Sequence, residues 1–300
     1  TVSGHVSYLN EDNQTRPVRY AQVQIIDTAT GPQDPAVRTY PSYTDASGYY
    51  VLQIPNNLDA DGTGADIIVR ALAIGVPNGT SVPAQDHSIV QVLQPVYPDV
   101  IYIRRNEGAV LLNNLQSDVS IDITAPNVGI NDGEFAVYDA AISGFIGAYT
   151  ALGVSMQSAL RIYWPAAVSG YDPLSSPPAM GLRRGGRWNR STIIHEYGHF
   201  VVDSFRCMDG DIGVAQHGDS ASIHDFNKDL RSWPVTRTVE QARNLAFRES
   251  WPTWFAVVVQ QSTGGGSRYQ RIHENQDIPL SYVIEHNVDL DSNTAWLPTG

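Results

Sequence analysis

His195-Glu196-Tyr197-Gly198-His199 is the segment of this 300-residue chain whose residue types and spacing can do chemistry. The two histidines are four positions apart. On a helix that spacing puts both imidazoles on one face, a turn apart, where they can share an ion. Zn2+ suits them, because it accepts neutral imidazole nitrogen at about 2.0–2.1 Å in a tetrahedral shell. Glu196 adjoins the first histidine and is read as the catalytic residue, not as a ligand. It would face a metal-bound water as general base, the ion having lowered that water's pKa to about 7. A catalytic zinc takes three protein ligands and keeps one position open. The spacing leaves the third ligand open among downstream acids and histidines: Glu249, Glu240, His217 and His224.

Several elements must position these residues. Ile193, Ile194, Tyr197, Phe200, Val201 and Phe205 fall at helical spacing around the motif, with Ser191 as the expected cap. Glu240 to about Gln261 reads as a second helix, with Pro252 as an interruption or a first-turn residue. Upstream, Asn131-Asp132-Gly133-Glu134 has the form of a capping box, and Phe135, Tyr138, Ile142, Phe145 and Tyr149 then repeat on one helical face. Arg161 to Trp164 and Met180 to Leu182 read as short strands, with a Pro/Ser/Gly-rich loop over Tyr171 to Ala179. Residues 207–235 are polar and loop-like.

Residues 1–124 are different in character. Gly4 to Tyr8, Ala21 to Ile25, Tyr50 to Ile54, Ile67 to Ala73, Ile89 to Leu93, Val100 to Ile103 and Val119 to Ile123 read as short strands separated by turn residues. Strands at that spacing suggest a β-sandwich. The expected organisation is therefore two domains: an all-β sandwich over 1–124 and an α+β domain over 125–300.

Two stretches resemble known families. Phe247-Arg248-Glu249-Ser250-Trp251-Pro252-Thr253-Trp254-Phe255-Ala256 resembles the E-G-W-A-x-x-F-A segment that supplies the glutamate ligand in gluzincin-type zinc peptidases, with Ser250 in place of Gly and Pro252 in place of Ala. The metzincin alternative is excluded, because it needs Gly at 202 and His at 205, where Val202 and Phe205 stand. The resemblance implies a zincin-like catalytic domain, with His195, His199 and Glu249 holding Zn2+. The thermolysin-like pattern also has Asp four residues after the glutamate, to hold a ligand histidine. Thr253 stands there, so the support of that histidine must differ. The strand before the metal helix is expected to be a sheet edge to which a peptide substrate adds. Gly4-x-Val6-x-Tyr8, Ala21-x-Val23-x-Ile25 and Thr44-Asp45-x-x-Gly48-x-Tyr50-x-Leu52 resemble the transthyretin-like, or carboxypeptidase-regulatory-like, domain. Such domains accompany secreted enzymes, which implies a secreted, extracellular protein.

Composition bounds the rest. The chain is 42% hydrophobic and 17% charged, as a folded globular protein is. A net charge of −12 offers no basic face for phosphates, so nucleic acid is not an expected partner. No apolar run is long enough for a membrane span. Cys207, the single cysteine, allows no intrachain disulfide and is expected to pack as a small apolar residue. Thr1-Val2-Ser3 has no initiator Met, so a targeting segment is expected either to have been removed already or to lie outside this sequence. Asn13, Asn78 and Asn189 begin glycosylation sequons. Asp59-x-Asp61-x-Thr63-Gly64 and Asp289-x-Asp291-x-Asn293 read as polar turns, since neither completes a calcium loop. There is no nucleophile elbow, P-loop or dinucleotide fingerprint.

The expected activity is hydrolysis of peptide bonds in a protein or peptide substrate. Donors for the developing oxyanion are His217, His224, Tyr269, His273, Tyr282, His286 and Arg248, which the sequence does not rank. Two other readings remain. One is a surface-binding or adhesion protein with a structural zinc closed by a fourth protein ligand. The other is a zinc peptidase restricted to glycosylated proteins.

Overall fold

The computed structural model describes residues 1–27, 38–54, 64–75, 90–94, 100–101, 103–105, 112–126, 133–152, 159–167, 169–172, 175–205, 238–262, 268–270 and 277–279. The fold is α+β, with mixed sheets in the N-terminal part and three α-helices among the described residues. The chain divides into two compact units. One holds Thr1–Ile142 and Ala159–Pro165, the other Ser143–Ser158 and Ala166–Gly300.

In the first unit β1 (Val2–Leu9) and β3 (Ala21–Asp27) bury every second residue. That period of two puts one face of each strand in the core. β1 is flanked antiparallel by β2 (Thr15–Pro17) and β5 (Tyr49–Leu52). It is flanked parallel by β11 (Val119–Ser120) and β12 (Ile123–Ala125). β3 lies in another sheet, between β4 (Arg38–Tyr43) and β6 (Ala65–Gly75), so Ile25 stands opposite both Tyr40 and Val69. β6 continues to β7 (Val90–Gln94), which runs parallel to β13 (Leu160–Ala166) with Val92 opposite Ile162. β8 (Val100–Ile101) lies along β7, and β9 (Ile103–Arg105) and β10 (Leu112–Leu115) lie along β6. β2, β4 and β10 carry no strong sequence signal. They are short segments recruited by the long strands they pair with.

Helix α1 (Glu134–Leu152) buries Phe135, Tyr138, Ile142 and Phe145 as the helical spacing predicts, whereas Tyr149 is exposed. Glu134 is its first residue and accepts the Gly133 N–H at 3.1 Å. The expected cap, Asn131, lies outside the described residues. Within the first unit Asp139 is buried against Arg19, whose guanidinium reaches it at 2.6–2.7 Å, and Tyr8 Oη donates to its other oxygen at 3.2 Å.

The second unit holds the hairpin β14 (Gly170–Asp172) and β15 (Ala179–Arg183), a 3-10 turn at Arg184–Trp188, α2 (Arg190–Ser204), α3 (Val239–Ser262) and the small ladder of β16 (Arg268–Gln270) with β17 (Asp277–Pro279). Tyr171, expected in a loop, is in strand β14. Asn189, not Ser191, caps α2, its Oδ1 accepting the Thr192 N–H at 2.9 Å. Ser191 lies inside the first turn and hydrogen-bonds the Gln260 amide at 3.1–3.3 Å. α2 is buried all round, from Ser191 to Val202.

Such a helix needs its neighbours close. A Cβ at Gly198 would lie 2.8 Å from Pro252 Cα, and one at Gly144 would lie 2.8 Å from the Tyr197 ring. Both distances are too short for any side chain, so glycine lets α3 and α1 approach α2. Pro252 lies well inside α3, which continues through it. Pro252 cannot donate to the Arg248 carbonyl, and its compact ring fills the place under Gly198.

Candidate metal centre

α2 and α3 carry the site. His195 and His199, a turn apart, project from one face of α2, and Glu249 projects from α3. All three are buried. Their candidate ligand atoms lie within 4.8 Å of one another. The Nε2 atoms of His195 and His199 are 3.1 Å apart, and Glu249 Oε2 is 3.5 Å from each. A triangle with sides of 3.1, 3.5 and 3.5 Å has its centre about 2.0 Å from every corner. An ion bound at about 2.0–2.1 Å, the range for zinc to nitrogen or carboxylate oxygen, therefore fits with a slight displacement from the plane of the three atoms. The group could hold a metal ion.

The tautomer of His195 follows from its neighbours. Thr253 Oγ1 donates to the Glu249 carbonyl at 2.9 Å and lies 3.1 Å from His195 Nδ1. A hydroxyl has one proton. With that proton given to the carbonyl, Thr253 can only accept at Nδ1, so Nδ1 carries the hydrogen. Nε2 then presents its lone pair toward the other two groups. Thr253 thus holds the histidine from the position where the thermolysin-like pattern has Asp. It provides orientation without a second negative charge.

Charge balance points the same way. Glu249 is an acid out of water, and its Oε2 faces the Nε2 atoms of two imidazoles at 3.5 Å. Burying a charge is costly unless it is compensated. A cation held among the three groups would compensate it.

Glu196 lies outside the three-residue group. It is buried, and burial pushes its carboxyl up to about 7. The charge of His195 opposes that rise, Glu249 adds to it, and a hydrogen bond from the Tyr171 backbone N–H opposes it. Tyr171 also lays its ring parallel to that of His199, with centroids 6.5 Å apart and planes 5° apart.

Among the other third-ligand candidates, Glu240 is exposed at the start of α3, while His217 and His224 lie outside the described residues. His273, Tyr282, His286, Cys207 and both acidic turn segments also lie largely or wholly outside them. Tyr269 is in β16. Arg248 pairs with Asp203 at 3.2 Å. Tyr171 and Asp203 were not legible as site residues. Neither has a partner at motif spacing, and their relation to the histidines arises only where β14 lies along α2.

No family model matches the chain, and no curated protein matches it. Among solved structures a 9R-lipoxygenase from Cyanothece aligns with 47% of this chain and 22% of its own, at 16% identity and a TM-score of 0.22. The chain thus spans about a fifth of that protein. A likeness this slight carries no argument about fold or function. Among the described residues no helix is long and apolar enough to cross a membrane.

Proposed function

We propose that the chain is a zinc-dependent peptidase. The observation that carries this reading is the convergence of His195 Nε2, His199 Nε2 and Glu249 Oε2, with the Glu196 carboxylate buried beside them and outside the group. Two imidazoles and one carboxylate are the donor set of catalytic zinc sites that keep a position open. When bound, the ion would supply Lewis acidity toward a scissile carbonyl and toward water. His195 and His199 would hold the ion through Nε2, and Thr253 keeps the His195 proton on Nδ1. Glu249 brings the negative charge. Glu196 takes the proton from the attacking water and passes it to the leaving amine, the general acid–base role.

The remaining assignments are proposals of the same kind. The α-helical stretch after residue 125 is zincin-like, and the paired sheets of 1–124 are a transthyretin-like domain of a secreted enzyme. The alternating strands and the helix-borne donors support them.

The test is cleavage of an unbiased peptide library by the zinc-loaded protein, with Glu196→Gln beside it. The reading expects cuts by the wild-type chain and a fall of about 10²- to 10⁴-fold in kcat for the variant, with zinc content unchanged. No cuts by a zinc-loaded wild-type chain, or equal cuts by the variant, would overturn it.

A further inference from the structure

Tyr171 touches the metal helix at three levels. Its backbone N–H bonds the Glu196 carboxylate. Its ring lies parallel to His199 and packs against Phe200. At the far end Asp203, one turn beyond His199 on the same face of α2, lies close enough to the Tyr171 hydroxyl to raise its pKa, burial being the larger cause. Asp203 Oδ1 in turn accepts from Arg248 Nη2 at 3.2 Å. Arg248 immediately precedes Glu249 on α3. One chain of contacts therefore runs from the base, along the second histidine, to the residue next to the third ligand.

We propose that Tyr171, Asp203 and Arg248 are positioning residues. Together they orient His199 and Glu196 and hold α3 in the register that places Glu249 opposite the two histidines. The proposal rests on the metal reading above and adds to it the groups that set its geometry.

Magnitudes separate this role from plain stabilisation. The Asp203 and Arg248 side chains are each about one-fifth exposed, at 23% and 21%. A pair that water still reaches contributes little to stability. Metal ligands, by contrast, must hold their distances within about 0.2 Å. Slippage of α3 against α2 by a fraction of a residue rise exceeds that tolerance. Losing the pair should thus leave folding almost intact and weaken the site markedly. Pro252 strengthens the need for a brace. It removes the helix hydrogen bond that would otherwise tie the Arg248 carbonyl to the next turn.

The experiment uses the full chain and zinc alone. Zinc affinity is read by competition with a chromogenic chelator, and ligand geometry by the visible spectrum of the Co2+-loaded protein. Urea midpoints serve as the folding control. Asp203→Asn and Arg248→Met are expected to lose about 10- to 100-fold in zinc affinity with near-wild-type midpoints. Arg248→Lys should recover part of that loss. Tyr171→Ala, which keeps the backbone N–H but removes the ring, should change the cobalt spectrum. A zinc-binding wild type whose Asp203→Asn and Arg248→Met variants keep its affinity and its cobalt spectrum would overturn the brace alone. A wild-type chain that takes up no zinc would overturn the metal reading and the brace together.

Discussion

Asp139 in the first unit and Glu249 in the second are both buried acids, and they are satisfied differently. Asp139 in the first unit meets a guanidinium that can never lose its charge, in a two-point contact at 2.6–2.7 Å, with Tyr8 on its other oxygen. Its charge balance is built into the protein. Glu249 in the second unit meets two neutral-capable imidazoles at 3.5 Å, and one of those has its Nδ1 proton assigned by Thr253. The first arrangement is a closed structural pair. The second is a set of candidate ligand atoms within 4.8 Å of one another. Buried acid alone therefore says little about function; the nature of the facing groups separates a brace from a ligand set.

Asp139→Ala leaves the half-buried Arg19 without its counter-charge and should cost about 3 kcal/mol of stability, read from urea unfolding. Zinc affinity should not change. A variant as stable as wild type would mean that the Asp139 pair is not structural.

Zinc supplies the reciprocal test. At 100 times its dissociation constant, zinc should raise the unfolding free energy of the wild-type chain by about 2.7 kcal/mol. Calorimetry of Glu249→Ala should show no such gain. A similar zinc response in the two proteins would remove Glu249 from the ligand set.

A smaller effect sharpens the tautomer argument. Thr253→Val removes the acceptor at His195 Nδ1 while keeping the volume, and zinc affinity should fall by about 10- to 100-fold. Thr253→Ser should retain most of the affinity. Equal affinity in the valine variant would show that the imidazole is held by packing alone.

Smallest is the cap of α2. Asn189→Ala should cost about 1 kcal/mol in the urea unfolding free energy, through loss of the bond to the Thr192 N–H. An unchanged midpoint would show that the first turn is held by Ser191 and Gln260 instead.

These contrasts show which features were legible in the sequence. The histidine pair and its helix were, because the chemistry needs an i, i+4 spacing and the apolar residues around it share one period. Glu249 was reachable only through its segment, since nothing local marks a ligand 54 residues from His195. Long strands such as β1 and β3 showed their alternation. Tyr171 did not announce itself, because a three-residue edge strand has no period to read and its role comes from lying along α2. Asn189 was legible as a sequon and turned out to be a buried helix cap. Both readings use the same side-chain amide. Only the hydrogen bond to Thr192 distinguishes them.

Gly198 carries a consequence for how such proteins are found. Its motif is commonly searched with both central positions left free. In this chain one of those positions admits no side chain, because the Pro252 backbone occupies the space a Cβ would need. The two positions should therefore vary together among relatives: a bulkier residue at the first requires an altered crossing at the second. A search profile that links them, 54 positions apart, would retrieve chains sharing this helix crossing and reject those that share only the five letters.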